Sequence, residues 1–243
     1  MRSMIARALL VASLATSACA GEEAVPSGEG TNATTQDLLS SAPASTNTAP
    51  PAGIAAPSQQ IDIDTLGFDL GSEDSPVRVV EMSDYGCGYC RQFHQETFPV
   101  LKQEFIDAGK VEWKFLPFDN GMFKNSPHAL RAGECVLEQG PELFQAMNER
   151  IWDGQPEWKG SSDAPPVFSG WAEEVGADMA QYTSCVQEDR RRERIDAATA
   201  LTRQVGVRGT PTFFVIGYPP LQGALPTEQF RQVLNMVYAD ATK

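Results

Sequence analysis

Residues 77–94 read VRVVEMSDYGCGYCRQFH and change character partway along. Val77–Val80 is the β-branched run of a buried strand. From Tyr89 onward the apolar residues follow helical spacing, with Phe93, Phe98, Leu101 and Phe105 near one face. Cys87 and Cys90 stand where strand gives way to helix. A cysteine pair at this spacing can be a metal clip, a structural staple or a working redox couple, so the rest of the chain has to choose.

Upstream, IDIDTLGFDLG (61–71) alternates like a strand, and downstream GKVEWKFLPF (109–118) reads as a turn and a strand. Pro99 is expected to kink the intervening helix. Residues 124–207 are nearly all helical in pattern, with helices expected at 126–138, 141–152, 166–175, 178–187 and 190–205. Gly140-Pro141, Gly154 and Gly176 punctuate them. GTPTFFVIG (209–217) is β-rich, a short strand follows near LQGAL (221–225), and a helix over Thr227–Ala239 closes the chain with Thr227 as its N-cap. A strand-helix-strand unit of this length implies a right-handed parallel pair. The later hairpin and helix make it an α/β fold, a mixed central sheet with helices on both faces. The block at 124–207 is then a helical insertion.

The chain has 243 residues, and 42% hydrophobic content suffices for a proper core. The net charge of -13 is unevenly spread, for no Lys or Arg occurs between Arg7 and Arg78. From 78 onward 17 bases face 23 acids, a mildly acidic balance that argues against nucleic acid or an anionic membrane surface as a partner. Residues 21–60 are Ala, Ser, Thr, Pro, Gly, Asn and acids without apolar period, and are read as a disordered linker. The preceding MRSMIARALLVASLATSACA (1–20) has a basic start and a short apolar run, and is read as an export signal. Ala18-Cys19-Ala20 fits ordinary cleavage. TSAC also resembles a bacterial lipobox, with Thr16 where that pattern has Leu, cleavage before Cys19 and a lipid on its thiol. The tail that follows favours the lipid reading. Either way the chain leaves the cytoplasm, for the periplasm or cell envelope, where disulfides persist.

Within a domain at residues 61–243, and over about 68–240 of it, the sequence resembles the DsbA-like thiol-disulfide oxidoreductases of the thioredoxin fold. The residues that carry the likeness are VRVVEMSDYGCGYCRQFH, the helical insertion, and VRGTPTFFVIG followed by GALPTEQF. Thiolate is the attacking species in disulfide exchange. Cys87, at the start of a helix, would feel the positive end of the helix dipole and act as nucleophile, while Cys90, one turn further in, resolves the mixed disulfide. The resemblance implies a cis Pro211 beside the nucleophile, with Thr210 offering backbone groups to a substrate strand. It also implies an acid at Glu81 that relays protons to Cys90, with Lys114 of the neighbouring strand as its candidate partner. It implies a second, structural disulfide between Cys135 and Cys185 in the insertion, against which two buried free thiols is the plain alternative. No cofactor is expected. The expected partners are exported proteins bearing thiols or disulfides and a membrane redox partner that recycles the cysteine pair. Membrane attachment would come only through a lipid on Cys19.

The alternatives have weaker support in the residues. A zinc site needs about four ligands, but the chain has two histidines, only His94 lies near, and there is no second Cys-x-x-Cys. A Cu(I) or zinc carrier, or a chaperone using its groove alone, would not require Gly209-Thr210-Pro211. Trp113, Trp152, Trp158 and Trp171 read as core, as do Met122 and Phe123 in preference to lining a peptide groove, and His128 reads as structural. The dipeptide between the cysteines is Gly-Tyr, which lacks the imidazole of the Pro-His found in strong oxidases. Only the helix terminus and Arg91 remain to favour the thiolate, so a Cys87 pKa less depressed than in those oxidases and a mid-scale potential are expected. Oxidase is the first reading of direction; reductase or isomerase is the second.

Overall fold

The computed structural model describes residues 61–243. The signal at 1–20, the linker at 21–60 and Cys19 lie outside the described residues. Five strands form one sheet in the order β1-β3-β2-β4-β5. At its centre β2 (Val77–Ser83) runs parallel to β3 (Val111–Pro117), with Val79 opposite Trp113 and Glu81 opposite Phe115. On its other side β2 pairs antiparallel with β4 (Thr212–Val215), Glu81 facing Phe213. The short β1 (Phe68–Leu70) and β5 (Leu221–Gln222) pair antiparallel at the two edges.

Successive residues of β2 point to opposite faces, and both faces are covered, which is why its sequence reads as one apolar run. Val77 and Val79 join the larger core with Phe93, Trp113, Phe213 and Phe230. Val80 and Met82 join a smaller one with Leu116, Ala198 and Leu201. All four tryptophans are buried, in keeping with the core reading.

Only Phe68–Leu70 of the stretch expected as a strand from Ile61 is one. The Asp62 carboxylate accepts from Asp64 N–H at 3.0 Å and caps a 3-10 turn over Ile63–Thr65. Asp62 serves that turn, while the Asp64 carboxylate pairs with Arg78. After β2, helix α1 (Gly88–Gln92) continues through a π-helical turn (Phe93–Thr97), α2 (Phe98–Leu101) and a second π turn (Lys102–Ile106). Pro99 has no N–H for Gln95, and the widened turns flank it, with Phe98 N–H reaching back to Phe93.

Between β3 and β4 lie α3 (Ser126–Leu137), α4 (Pro141–Asp153), the one-turn α5 (Gln155–Trp158), α6 (Pro165–Glu174), α7 (Met179–Gln187) and α8 (Arg192–Gln204). A disulfide joins Cys135 on α3 to Cys185 on α7, their Cα atoms 5.8 Å apart. The closing helix α9 spans Thr227–Ala241, and its cap position belongs to Pro226, not Thr227. Thr227 is the first helical residue, and its hydroxyl lies 3.0 Å from that of Thr97. Among the described residues no helix is long and apolar enough to cross a membrane.

Candidate active site

The turn from β2 into α1 is held from below by a buried carboxylate. Asp84 accepts from Gly86 N–H at 2.8 Å, Ser126 Oγ at 2.5 Å and Asn120 N–H at 2.9 Å, which ties together the β2–α1 turn, the loop after β3 and the start of α3. Burial raises its pKa against these bonds, which lower it. Gly86 has no freedom to carry a side chain, because a Cβ there would come within 2.4 Å of Phe123. From α5 the buried Gln155 donates to Tyr85 O at 2.6 Å and Cys87 O at 2.9 Å. The turn that presents Cys87 is therefore fixed by three separate elements, and its backbone carbonyls are satisfied.

Cys87 takes the cap position of α1 in an extended conformation (φ -75, ψ 125), so the unpaired N–H groups of the first turn face its sulfur. Both Cys87 and Cys90 are free thiols. Cys87 is 7% exposed and lines a cavity of about 740 Å³, whereas Cys90 is fully enclosed. Cys87 Sγ donates to Thr210 O at 3.4 Å, and the Thr210–Pro211 peptide bond is cis. The two sulfurs are driven apart electrostatically. The hydrogen bond from the Cys90 thiol brings the Cys87 pKa down to about 5, against burial, with further help from the Thr210 hydroxyl and the Cys90 and Tyr89 N–H groups. Burial first, and then the neighbouring Cys87, push Cys90 well above the ordinary thiol range.

Beneath the dithiol, Glu81 is completely buried. Its carboxylate accepts from Ser83 Oγ at 2.5 Å and Trp113 Nε1 at 3.0 Å, and lies 2.7 Å from His94 Nε2. The Ser83 side chain also lowers the Cys90 pKa, against the larger effect of burial. Lys114 is not the partner of Glu81. Its ammonium pairs with Asp69 at 2.6 Å and donates to Leu66 O at 3.1 Å, because Lys114 lies directly opposite Asp69 in the β1–β3 register. The His94 ring stacks on Trp152 and lines a separate cavity bordered by Phe98 and Phe115. Met122 is not core either: it is 76% exposed and, with Phe123, lines the cavity beside Cys87. His128 lies away from the dithiol, half-buried, its pKa lowered by burial.

The structure thus brings Cys87, Cys90, Thr210, Pro211 and Glu81 into one neighbourhood and leaves Cys135, Cys185 and Lys114 outside it. Sequence reading missed Asp84, Ser83, Gln155 and the contact of His94 with Glu81. An acid directly after a buried strand, two residues before a glycine, was a usable signal for Asp84. Nothing local marks Gln155, which arrives from an insertion helix.

A mixed sheet with helices on both faces, a Cys-x-x-Cys opening a helix and a cis X-Pro bond across from it define a thiol-disulfide oxidoreductase of thioredoxin fold. The family model described as Thioredoxin matches residues 66–235, and the chain belongs to that family. It is 30% identical over 157 residues to "Disulfide bond formation protein D" of Bacillus subtilis, covering 60% of this chain and 66% of that protein. It is 28% identical over 156 residues to a "Putative protein-disulfide oxidoreductase" of Rickettsia bellii, covering 64% of this chain and 59% of that one. Among solved structures, oxidised BdbD from Bacillus subtilis superposes with a TM-score of 0.65 at 23% identity, covering 74% of this chain and 96% of that chain. Chlamydia trachomatis DsbA does so with a TM-score of 0.63 at 20% identity, covering 78% and 97%.

Proposed function

We propose that the protein forms disulfides in exported proteins, with Cys87 as the exchanging sulfur and Cys90 as the resolving one. The reading is carried by the opposed pKa values of the two thiols, Cys87 near 5 and Cys90 far above its ordinary range. In the oxidised enzyme a substrate thiolate attacks Cys87 Sγ, the Cys87–Cys90 bond breaks, and Cys90 leaves with the electron pair. A second substrate thiolate then attacks the substrate sulfur of the mixed disulfide, and Cys87 leaves as thiolate. The substrate loses two electrons and the enzyme gains them, to be passed on to a membrane redox partner. A stabilised Cys87 thiolate favours the reduced enzyme, so the disulfide is readily given away. Direction therefore leans to oxidation.

Glu81 is proposed to exchange a proton with Cys90 through Ser83, since Cys90 must be protonated when it is released and deprotonated when it resolves. Thr210 offers its backbone to an extended substrate segment, and Pro211 keeps an N–H away from the nucleophile. The protein is placed in the cell envelope, supported by the export signal and by a disulfide buried in the insertion. Mass spectrometry of the mature N-terminus distinguishes a lipid on Cys19 from simple cleavage after Ala20.

Redox equilibration with glutathione tests the direction. The expected potential lies between the roughly -270 mV of thioredoxin and the roughly -120 mV of the strongest oxidases. A value below the thioredoxin figure would make the protein a reductase. Tight stoichiometric Cu(I) or zinc binding by the reduced protein, without oxidation of thiol substrates, would turn the reading into metal carriage.

A further inference from the structure

Beside Cys87 the surface departs from the charge of the molecule as a whole. The chain carries a net charge of -13, and most basic side chains of the described residues are neutralised in ion pairs: Arg191 and Arg194 on Glu134, Arg231 on Glu104, Arg131 on Asp189. The cavity of about 740 Å³ that Cys87 and Thr210 share is different. Lys159 follows α5, Arg203 lies in the last turn of α8, and Arg208 sits just before the cis bond, and all three line that cavity. Among the described residues none of the three makes an ion pair; Lys159 Nζ rests 4.7 Å over the Phe123 ring instead. Asp119 is the single acid of the lining, and its carboxylate is already bonded to Gly121 N–H at 2.8 Å. Tyr89 and Met122 line the same cavity and are 68% and 76% exposed.

Three cations drawn from three elements, each without an acidic partner, share a cavity with the sulfur of a protein that is acidic elsewhere. An unpaired cation on the wall of a concave, partly apolar site is satisfied when a ligand supplies the anion. We propose that this cleft selects extended polypeptide segments that carry Asp or Glu within a few residues of the reacting cysteine, alongside an apolar side chain that covers Tyr89 and Met122. The proposal rests on the reading of Cys87–Cys90 as an exchange centre. It concerns which cysteines are reached, not the exchange step itself. The same arrangement disfavours segments rich in Lys and Arg, because like charges brought together across a cleft slow association.

The test uses the oxidised full-length protein and one pair of otherwise identical dithiol peptides, one flanked by Asp and Phe, the other by Lys and Phe. Each rate of oxidation is divided by that peptide's rate with hydroxyethyl disulfide, which removes the effect of flanking charge on the peptide thiol's own reactivity. The expected kcat/KM ratio favours the acidic peptide by roughly tenfold at low salt, and shrinks severalfold at 0.5 M salt by screening, at about 4 Å Debye length. In Arg203→Glu/Arg208→Glu, both positions being exposed, the ratio falls to about two or below. Equal normalised rates for the two peptides overturn the proposal, as does an acidic preference that survives the double charge reversal. Dithiothreitol serves as an uncharged control: if the wild-type protein does not oxidise it, the exchange reading itself has failed, whereas dithiothreitol oxidation with equal peptide rates removes only the acidic preference.

Discussion

The chain holds two cysteine pairs within its described residues, and they are opposites. Cys135 and Cys185 are each 1% exposed, lie between α3 and α7 in the larger apolar core, and are already bonded. Cys87 and Cys90 sit at the start of a helix, beside a cavity and over a buried acid, and are free. The element is the same in both cases, and the surroundings make the difference. In the insertion both sulfurs are buried and already bonded to each other, so the bond acts as a staple. At the helix start one sulfur is ionised by its neighbours and the other is kept protonated by burial, so the bond acts as a reagent. Replacing one member of each pair makes the sharpest contrast. Cys87→Ala is expected to cut the oxidation of thiol peptides by more than about 10³-fold while the protein stays folded. Cys135→Ala/Cys185→Ala is expected to lose about 2–4 kcal/mol of stability in denaturant while keeping the peptide-oxidation rate. If the second variant lost exchange activity at unchanged stability, the division into reagent and staple would be wrong.

Glu81→Gln sharpens the same contrast from below. Glutamine fills the same volume and keeps an acceptor for Trp113, but it cannot carry a proton between Ser83 and the cavity side. The step that requires Cys90 to lose or gain a proton is expected to slow by roughly tenfold to a hundredfold at neutral pH, with its pH profile flattened. Alkylation of Cys87 is expected to be little changed. An unaltered profile for resolution of the mixed disulfide would remove Glu81 from the chemistry and leave it as a buried hydrogen-bonding group.

The exchange centre was largely legible because its residues announce themselves locally. Cys87, Cys90, Thr210 and Pro211 sit in two short motifs, each at a change of period from helix to strand or strand to helix. Five of the six helices of the insertion were found to within a residue or two, helped by Gly and Pro at several of their ends, and the one-turn α5 was missed. What failed depended on register or on arrivals from afar. Lys114 was paired with the wrong acid because the partner is set by which residue of β1 lies across from it, and sequence does not display that alignment. Gln155 reaches the Cys87 carbonyl from an insertion helix some 68 positions away. Met122 looked like core because it is apolar, yet it is exposed where a substrate would cover it. His94 was weighed as a metal ligand because of its nearness to the cysteines. One helical turn below Cys90 its ring turns away from the sulfurs and toward Glu81.

The difference between the pairs also has a pH signature. The folded Cys87 pKa is near 5, against about 8.5 in an unfolded chain. A depressed pKa contributes stability that is fully present above the unfolded value and is lost as pH falls through the folded one. Reduced protein should therefore gain stability relative to the oxidised form as pH rises from about 5 to about 8.5, since the oxidised form has no Cys87 thiol to titrate. Cys90 acts in the opposite sense and in a different window. Its folded pKa is raised, so above about 8.5 the unfolded chain ionises a thiol that the folded one cannot, and the gain should begin to reverse. Cys135 and Cys185 remain bonded in both forms when reduction is confined to the accessible pair, and add nothing to the difference. Denaturation midpoints of the two redox forms across pH 4–10, with thiolate absorbance followed in parallel, measure it. The thiolate should half-titrate near pH 5 as a single sulfur. A stability difference that is flat over pH 5–8.5 would mean that Cys87 is no more acidic than an ordinary thiol, and the asymmetry on which the exchange chemistry depends would be gone.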